Sequence, residues 1–215
     1  MTQTIDLITK LSGEAKATKQ MIKPIKRVSY LLIICGIYAI IAQSFLGLRA
    51  DIALQFMRPL FTAEITLIFL LFLTSLISAS LNIYPDLYQR SQLIKLPYAV
   101  FLALIFLFIF QIFIPDNSES LIYPDIPHKI ICSACITFLS FIPAILIFII
   151  LKKGASTKPF QAGLFTVMAA SSLGCLILRL SEDNDHLSHI LIWHYSPMVF
   201  LALIGTIIGK LLLKW

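Results

Sequence analysis

Apolar residues along this chain gather into six long runs, over residues 28–48, 63–83, 97–114, 130–151, 160–180 and 190–213, with short polar stretches between them. Each run is close to the ~20 residues a helix needs to cross ~30 Å of hydrocarbon. The pattern therefore predicts an all-α fold: a polytopic bundle of six transmembrane helices occupying residues 28–215. No soluble domain of useful size fits between the spans. Composition agrees, because 59% of the 215 residues are hydrophobic and only 13% charged, against roughly 45–50% apolar in ordinary soluble domains.

Residues 1–27 stand apart. Ile5, Ile8, Leu11 and Ala15 recur at three- and four-residue spacing with Leu7 beside them, while Thr9, Lys10 and Glu14 lie off that stripe. This is a short amphipathic helix pattern. Gly13 weakens it, and Pro24 interrupts it before the first span. So short a helix is marginal in water by itself. It needs a surface, and lipid headgroups or a protein groove would both be read through the same stripe.

Charge fixes the expected orientation. With the N-terminus in the cytoplasm, the inner segments hold thirteen of the 17 basic residues, among them Lys19–Arg27, Lys152, Lys153 and Lys210; the outer ones hold only Arg49, Arg58, Lys129 and Arg179. Asp51, Asp116, Glu119, Asp125, Glu182, Asp183 and Asp185 fall in outer loops. The positive-inside rule then places both termini in the cytoplasm of a bacterial inner membrane. The net charge of +6 is on this reading a leaflet bias with a basic cluster facing anionic lipid, and no nucleic-acid contact is expected.

Candidate chemistry is sparse. Glu64, Arg179 and His194 are the ionisable residues at the span ends, all at the outer interface, and none marks a midplane pathway. Pro197 should kink the last span and free a carbonyl for His194 or Ser196. No hydrolase, metalloprotease or phosphate-loop motif occurs, so no catalytic role is expected. A small transporter or channel, or an enzyme at the outer interface, are the alternatives that residue pattern alone leaves open. Gly205-x-x-x-Gly209 in the last span permits close helix approach, expected within the bundle.

At the outer mouth, His128, Cys132 and Cys135 are spaced four and three apart and return to nearly one helix face. Cys175 lies at similar depth, and His186 and His189 lie in the adjoining loop. Thiolates and imidazoles suit a soft or borderline metal ion; a disulfide or simple apolar packing of the cysteines are the other readings. No resident cofactor is otherwise expected.

Four stretches resemble one family. They are Asp6-Leu7-Ile8-x-x-Leu11 with Pro24–Arg27; Gly47-Leu48-Arg49-x-Asp51-Ile52 with Pro59-x-Phe61; Leu139-Ser140 and Pro143 with Lys152-Lys153-Gly154-Ala155 and Pro159; and Trp193-His194-x-x-Pro197 through Gly205-x-x-x-Gly209-Lys210 to Leu213-Lys214-Trp215. Their order and spacing are similar to those of the negative regulators of sigma-F, six-pass anti-sigma factors. The resemblance implies that the cytoplasmic segment binds an extracytoplasmic-function sigma factor through Ile5, Leu7, Ile8, Leu11 and Ala15, and releases it on an envelope signal. Arg49, Asp51, Trp193, His194 and Pro197 are the positions that carry the family motifs. Some members carry two cysteines linked to sensing, the first near Cys132 and the second in a Cys-Pro-Glu-Asp-like stretch. Here that stretch is Leu180-Ser181-Glu182-Asp183. Either a cysteine pair is not used here, or Cys135 or Cys175 replaces the second one.

Overall fold

A computed structural model describes residues 2–14, 23–84, 91–114, 126–154 and 156–213. The chain runs through α1 (Thr2–Glu14), α2 (Pro24–Leu46), α3 (Ile52–Gln55), α4 (Pro59–Leu81), α5 (Ser91–Ile112), α6 (Ile126–Leu151), α7 (Pro159–Arg179), α8 (Leu187–His189), a π-helical turn (Ile190–Tyr195) and α9 (Ser196–Leu212). Six helical stretches are long and apolar enough to cross a membrane: Pro24–Leu46, Pro59–Leu81, Gln92–Ile112, Ile130–Leu151, Pro159–Arg179 and Leu187–Leu212. The fourth has the limits that hydropathy predicts. Three others begin earlier because Pro24, Pro59 and Pro159 stand in the first turn of α2, α4 and α7. Proline is suited there, since its missing N–H has no helical partner to lose.

Burial is inverted relative to a soluble bundle. Helix α7 is the core element, with the side chains from Ala162 to Arg179 almost all buried, and it is rich in small residues. It packs against α4, α6 and α9. The surrounding helices turn Ile33, Ile37, Ile40, Phe106, Phe110, Phe138, Phe141, Phe200 and Leu203 outward, as a lipid-facing surface requires. Small residues let α7 and α9 meet backbone to backbone. A Cβ on Gly163 would strike the Gly205 carbonyl and come within 2.5 Å of Gly209 Cα. The Gly205/Gly209 pair is thus an intrachain contact, as expected.

Proline also occurs inside three spans, at Pro97, Pro143 and Pro197, and each frees a carbonyl four residues back. In hydrocarbon such a carbonyl has no water to turn to. A hydroxyl from a neighbouring span takes each one. Ser78 Oγ donates to the Leu93 carbonyl at 3.1 Å, Tyr38 Oη to the Leu139 carbonyl at 2.8 Å, and Ser133 Oγ to the Trp193 carbonyl at 2.9 Å. The last of these corrects the expectation that His194 or Ser196 compensates for Pro197.

The end where α2 starts is held by Ser156 Oγ donating to the Asn82 carbonyl at 2.9 Å and by Gly154 lying on Ile83. Arg27, expected among the lipid-facing basic residues, is instead 3% exposed and lies 5.2 Å from the centre of the Tyr84 ring. Every described side chain of α1, polar and apolar alike, is exposed. Its stripe residues Leu11 and Ala15 lie outside the described side chains.

Candidate functional site

The opposite, distal end of the bundle gathers nearly all the buried charge. The loop after α2 and the loop after α7 meet there through the Arg49 N–H, which donates to the Leu180 carbonyl at 3.0 Å. Gly47, with φ of 80°, ends α2 and turns the chain into this contact. Arg49, its side chain 1% exposed, then forks onto two carboxylates. Its Nε and Nη2 donate to Asp51 at 2.6 and 3.0 Å, and its Nη1 and Nη2 to Asp185 at 2.9 Å each. Gln55, placed one turn on by α3, donates to Asp51 at 2.7 Å and Asp185 at 3.1 Å. The planar, five-donor guanidinium is the side chain suited to this double clasp.

A second arginine extends the network into the spans. Arg179, at the end of α7, donates to both oxygens of Glu64 on α4, at 3.2 and 3.3 Å, and reaches Asp185 at 2.8 Å. The Glu64 and Arg179 side chains are 4% and 3% exposed. Tyr195, from the π-helical turn, donates its hydroxyl to Glu64 at 3.0 Å. The Phe61 ring lies under both guanidinium groups, 5.6 Å from Arg49 and 5.1 Å from Arg179. Asp185 is thus shared by both arginines and joins two loops to two spans. A cavity of about 290 Å³, lined by Arg58, Glu64, Gln111 and Arg179 among others, opens beside the network.

The loop charges follow from this wiring. Donation to Asp185, opposed by burial and helped by Asp51, holds the Arg49 guanidinium protonated. Arg49, then Gln55, hold the Asp51 carboxyl well below the usual carboxylate range. Burial pushes Asp185 up, but the bonds from Arg49 and Arg179 outweigh it and the net shift is downward.

Glu182 centres a neighbouring cluster. Its Oε2 lies 2.9 Å from His194 Nε2 and its Oε1 lies 3.0 Å from His189 Nε2. Cys132 on α6 donates its Sγ–H to Oε1 at 3.3 Å. Burial opposes the Glu182 charge, and the bonds from His194 and Cys132 reverse the balance, so its carboxyl is lowered. The two imidazoles pack edge to face with centroids 5.1 Å apart. They are five residues apart, a separation that an α-helix rotates by about 140°. The π-helical turn closes its bonds over five residues rather than four, and so brings His194 to the side His189 occupies.

The residues expected at the outer mouth therefore divide. Cys132 and His189 join one cluster, with His194 and Glu182. Cys135, one turn further along α6, is half-buried and stands outside that cluster, and Cys175 is fully buried in α7. His186 stands at the N-cap position of α8 without a side-chain capping bond, and its backbone N–H donates to Asn184 Oδ1 at 3.1 Å. His128 falls within α6, but its side chain lies outside the described residues. All four cysteines are free thiols. Of the motif positions, Arg49 and Asp51 anchor the ionic network, Trp193 supplies the carbonyl freed by Pro197, and His194 meets Glu182.

Fold and site together define a polytopic helical membrane protein whose loops and spans are locked at one end by buried ion pairs. The family model described as "Negative regulator of sigma F" matches residues 11–215, and the chain belongs to that family. It is accordingly a negative regulator with a sigma factor as its partner. No curated protein and no solved structure matches it.

Proposed function

We propose that this protein is an inner-membrane anti-sigma factor that holds an extracytoplasmic-function sigma factor through α1. The observation that carries the reading is the state of the helix stripe. Ile5, Leu7 and Ile8 are 62%, 56% and 60% exposed, on a 13-residue helix too short to be stable alone in water. An apolar helix face of this kind is what a protein groove receives at i, i+3 and i+4. Leu11 and Ala15 continue the stripe by sequence. These anchors lie at or before the first residues of the family match, so the binding element is argued from the pattern rather than from the family.

The basic residues leading into the first span support a cytoplasmic α1, on the side where a sigma factor would meet it. The distal ionic end then faces the envelope and receives the signal that releases the partner. No nucleic-acid contact and no catalysis are part of this function.

The test is substitution of Leu7 and Leu11 by Asp in the full-length protein. Charge in an apolar groove costs several kcal/mol unless it escapes to water. The controlled genes should become constitutively expressed with the membrane protein still present at its normal level. Continued silence under those conditions rules α1 docking out. A pull-down with full-length protein identifies the partner and should lose it in the same variant.

A further inference from the structure

We propose that Cys132, Glu182, His189 and His194 form a binding site for one divalent transition-metal ion of the zinc class. The four ligand atoms, one thiol sulfur, one carboxylate oxygen and two imidazole nitrogens, all lie within 4.8 Å of one another. A tetrahedral ion with bonds of about 2.0–2.3 Å holds its ligand atoms roughly 3.3–3.8 Å apart. The Glu182 contacts to His194, His189 and Cys132, at 2.9, 3.0 and 3.3 Å, are already at that scale.

Three further observations favour an ion over a simple hydrogen-bonded cluster. The ligands come from α6, the loop after α7, α8 and the π-helical turn that follows α8, so the fold brings four elements to one point. The π-helical turn is what brings His194 round to His189, and such turns are concentrated at functional sites. Among the described residues, Glu182 meets no lysine or arginine within ion-pair distance, whereas Glu64, Asp51 and Asp185 each hold an arginine.

Charge selects the oxidation state. On binding, the Cys132 thiol gives its proton to water and both histidines enter as neutral imidazoles. A thiolate and a carboxylate then balance a divalent ion, leaving a neutral centre in a site where the imidazoles are 3% and 0% exposed. A monovalent ion would leave a net negative charge in surroundings that penalise it. The mixed sulfur, nitrogen and oxygen donors suit zinc-like ions and not magnesium or calcium. The side chain of Glu182, 18% exposed, is the route by which an ion enters from the distal loops.

The test uses full-length protein in detergent micelles, with cobalt(II) as the probe and zinc(II) as competitor. The expected result is one equivalent of cobalt, intense tetrahedral d–d bands and a thiolate-to-cobalt charge-transfer band, all displaced by zinc. Cys132→Ser should abolish the charge-transfer band. Cys135→Ser should leave it. His189→Gln should weaken binding by more than ~10-fold, since losing even an outer partner of a metal ligand costs 10–100-fold. Monodisperse elution confirms that each variant is folded. Failure of the folded wild-type protein to take up cobalt, or a charge-transfer band that survives Cys132→Ser, overturns the proposal. Metal uptake is read without a sigma factor, so neither outcome depends on the regulatory reading.

Discussion

Glu64 and Arg179 offer an unequal pair on which the energetics of the distal network can be measured. Arg179 has two acids, Glu64 at 3.2 Å and Asp185 at 2.8 Å. Glu64 has Arg179 and the Tyr195 hydroxyl at 3.0 Å. Replacing Arg179 by Met removes the cation and strands a carboxylate whose side chain is 4% exposed. Breaking a buried pair from one side in this way costs about 3–5 kcal/mol. Replacing Glu64 by Gln keeps the shape and leaves Arg179 paired with Asp185, so the loss is that of a charge-assisted bond, about 1.5–3 kcal/mol. The two single variants should differ by about 2 kcal/mol, up to about 30-fold in the unfolding constant. In the double variant neither charge is stranded, and the total should fall short of the sum of the singles by about 1–3 kcal/mol. Equilibrium unfolding in mixed micelles of rising dodecyl sulfate fraction, followed by the fluorescence of Trp193 in a Trp215→Phe background, measures all three. Equal single costs that add in the double variant would refute the assignment of Glu64 as the dependent partner.

Two further outcomes are expected. Gly163→Ala forces a Cβ into the backbone of α9, which cannot retreat as a flexible side chain can, and should cost about 1–3 kcal/mol. Gly36→Ala on α2 has open space around the new methyl and should stabilise by about 0.4–1 kcal/mol; the same unfolding assay separates them. For pH, the lowered carboxyls of Asp51, Asp185 and Glu182 contribute stability that is complete above the ordinary carboxylate value of about 4. It is lost as pH falls through their lower folded values. The melting temperature should therefore hold from neutrality to about pH 5 and drop below about pH 4, and Asp185→Asn should flatten that drop.

Hydropathy made the six spans legible because length and apolarity suffice to define them. Their starts were less legible, since Pro24 opens a turn that carries Lys26 and Arg27 and Pro59 one that ends on Thr62, polar residues that a strictly apolar run leaves out. The site divided in the same way. Arg49, Asp51, Glu64, Arg179 and His194 could be singled out as polar groups near span ends. Their pairing could not, because Glu64 and Arg179 are 115 residues apart and Cys132 and Glu182 are 50 apart. A regular 3.6-residue period groups Cys132 with His128 and Cys135 on one helix face. The π-helical turn departs from that period, aligns residues five apart and so recruits His194. Glu182 stands out in the sequence as loop acidity and as part of the Leu180–Asp183 stretch, neither of which points to His189 or His194.

The three intramembrane prolines and their hydroxyl partners also constrain how such a chain can drift. Tyr38 serves Leu139 only because Pro143 has withdrawn an amide, and Ser78 and Ser133 stand in the same relation to Pro97 and Pro197. If the hydroxyl is lost first, a carbonyl is orphaned in hydrocarbon. If the proline is lost first, an amide returns to the helix and the hydroxyl becomes dispensable. Each pair therefore has a permitted order of replacement, proline before hydroxyl. Divergence through this bundle runs one way at three points, at each of which two different spans meet.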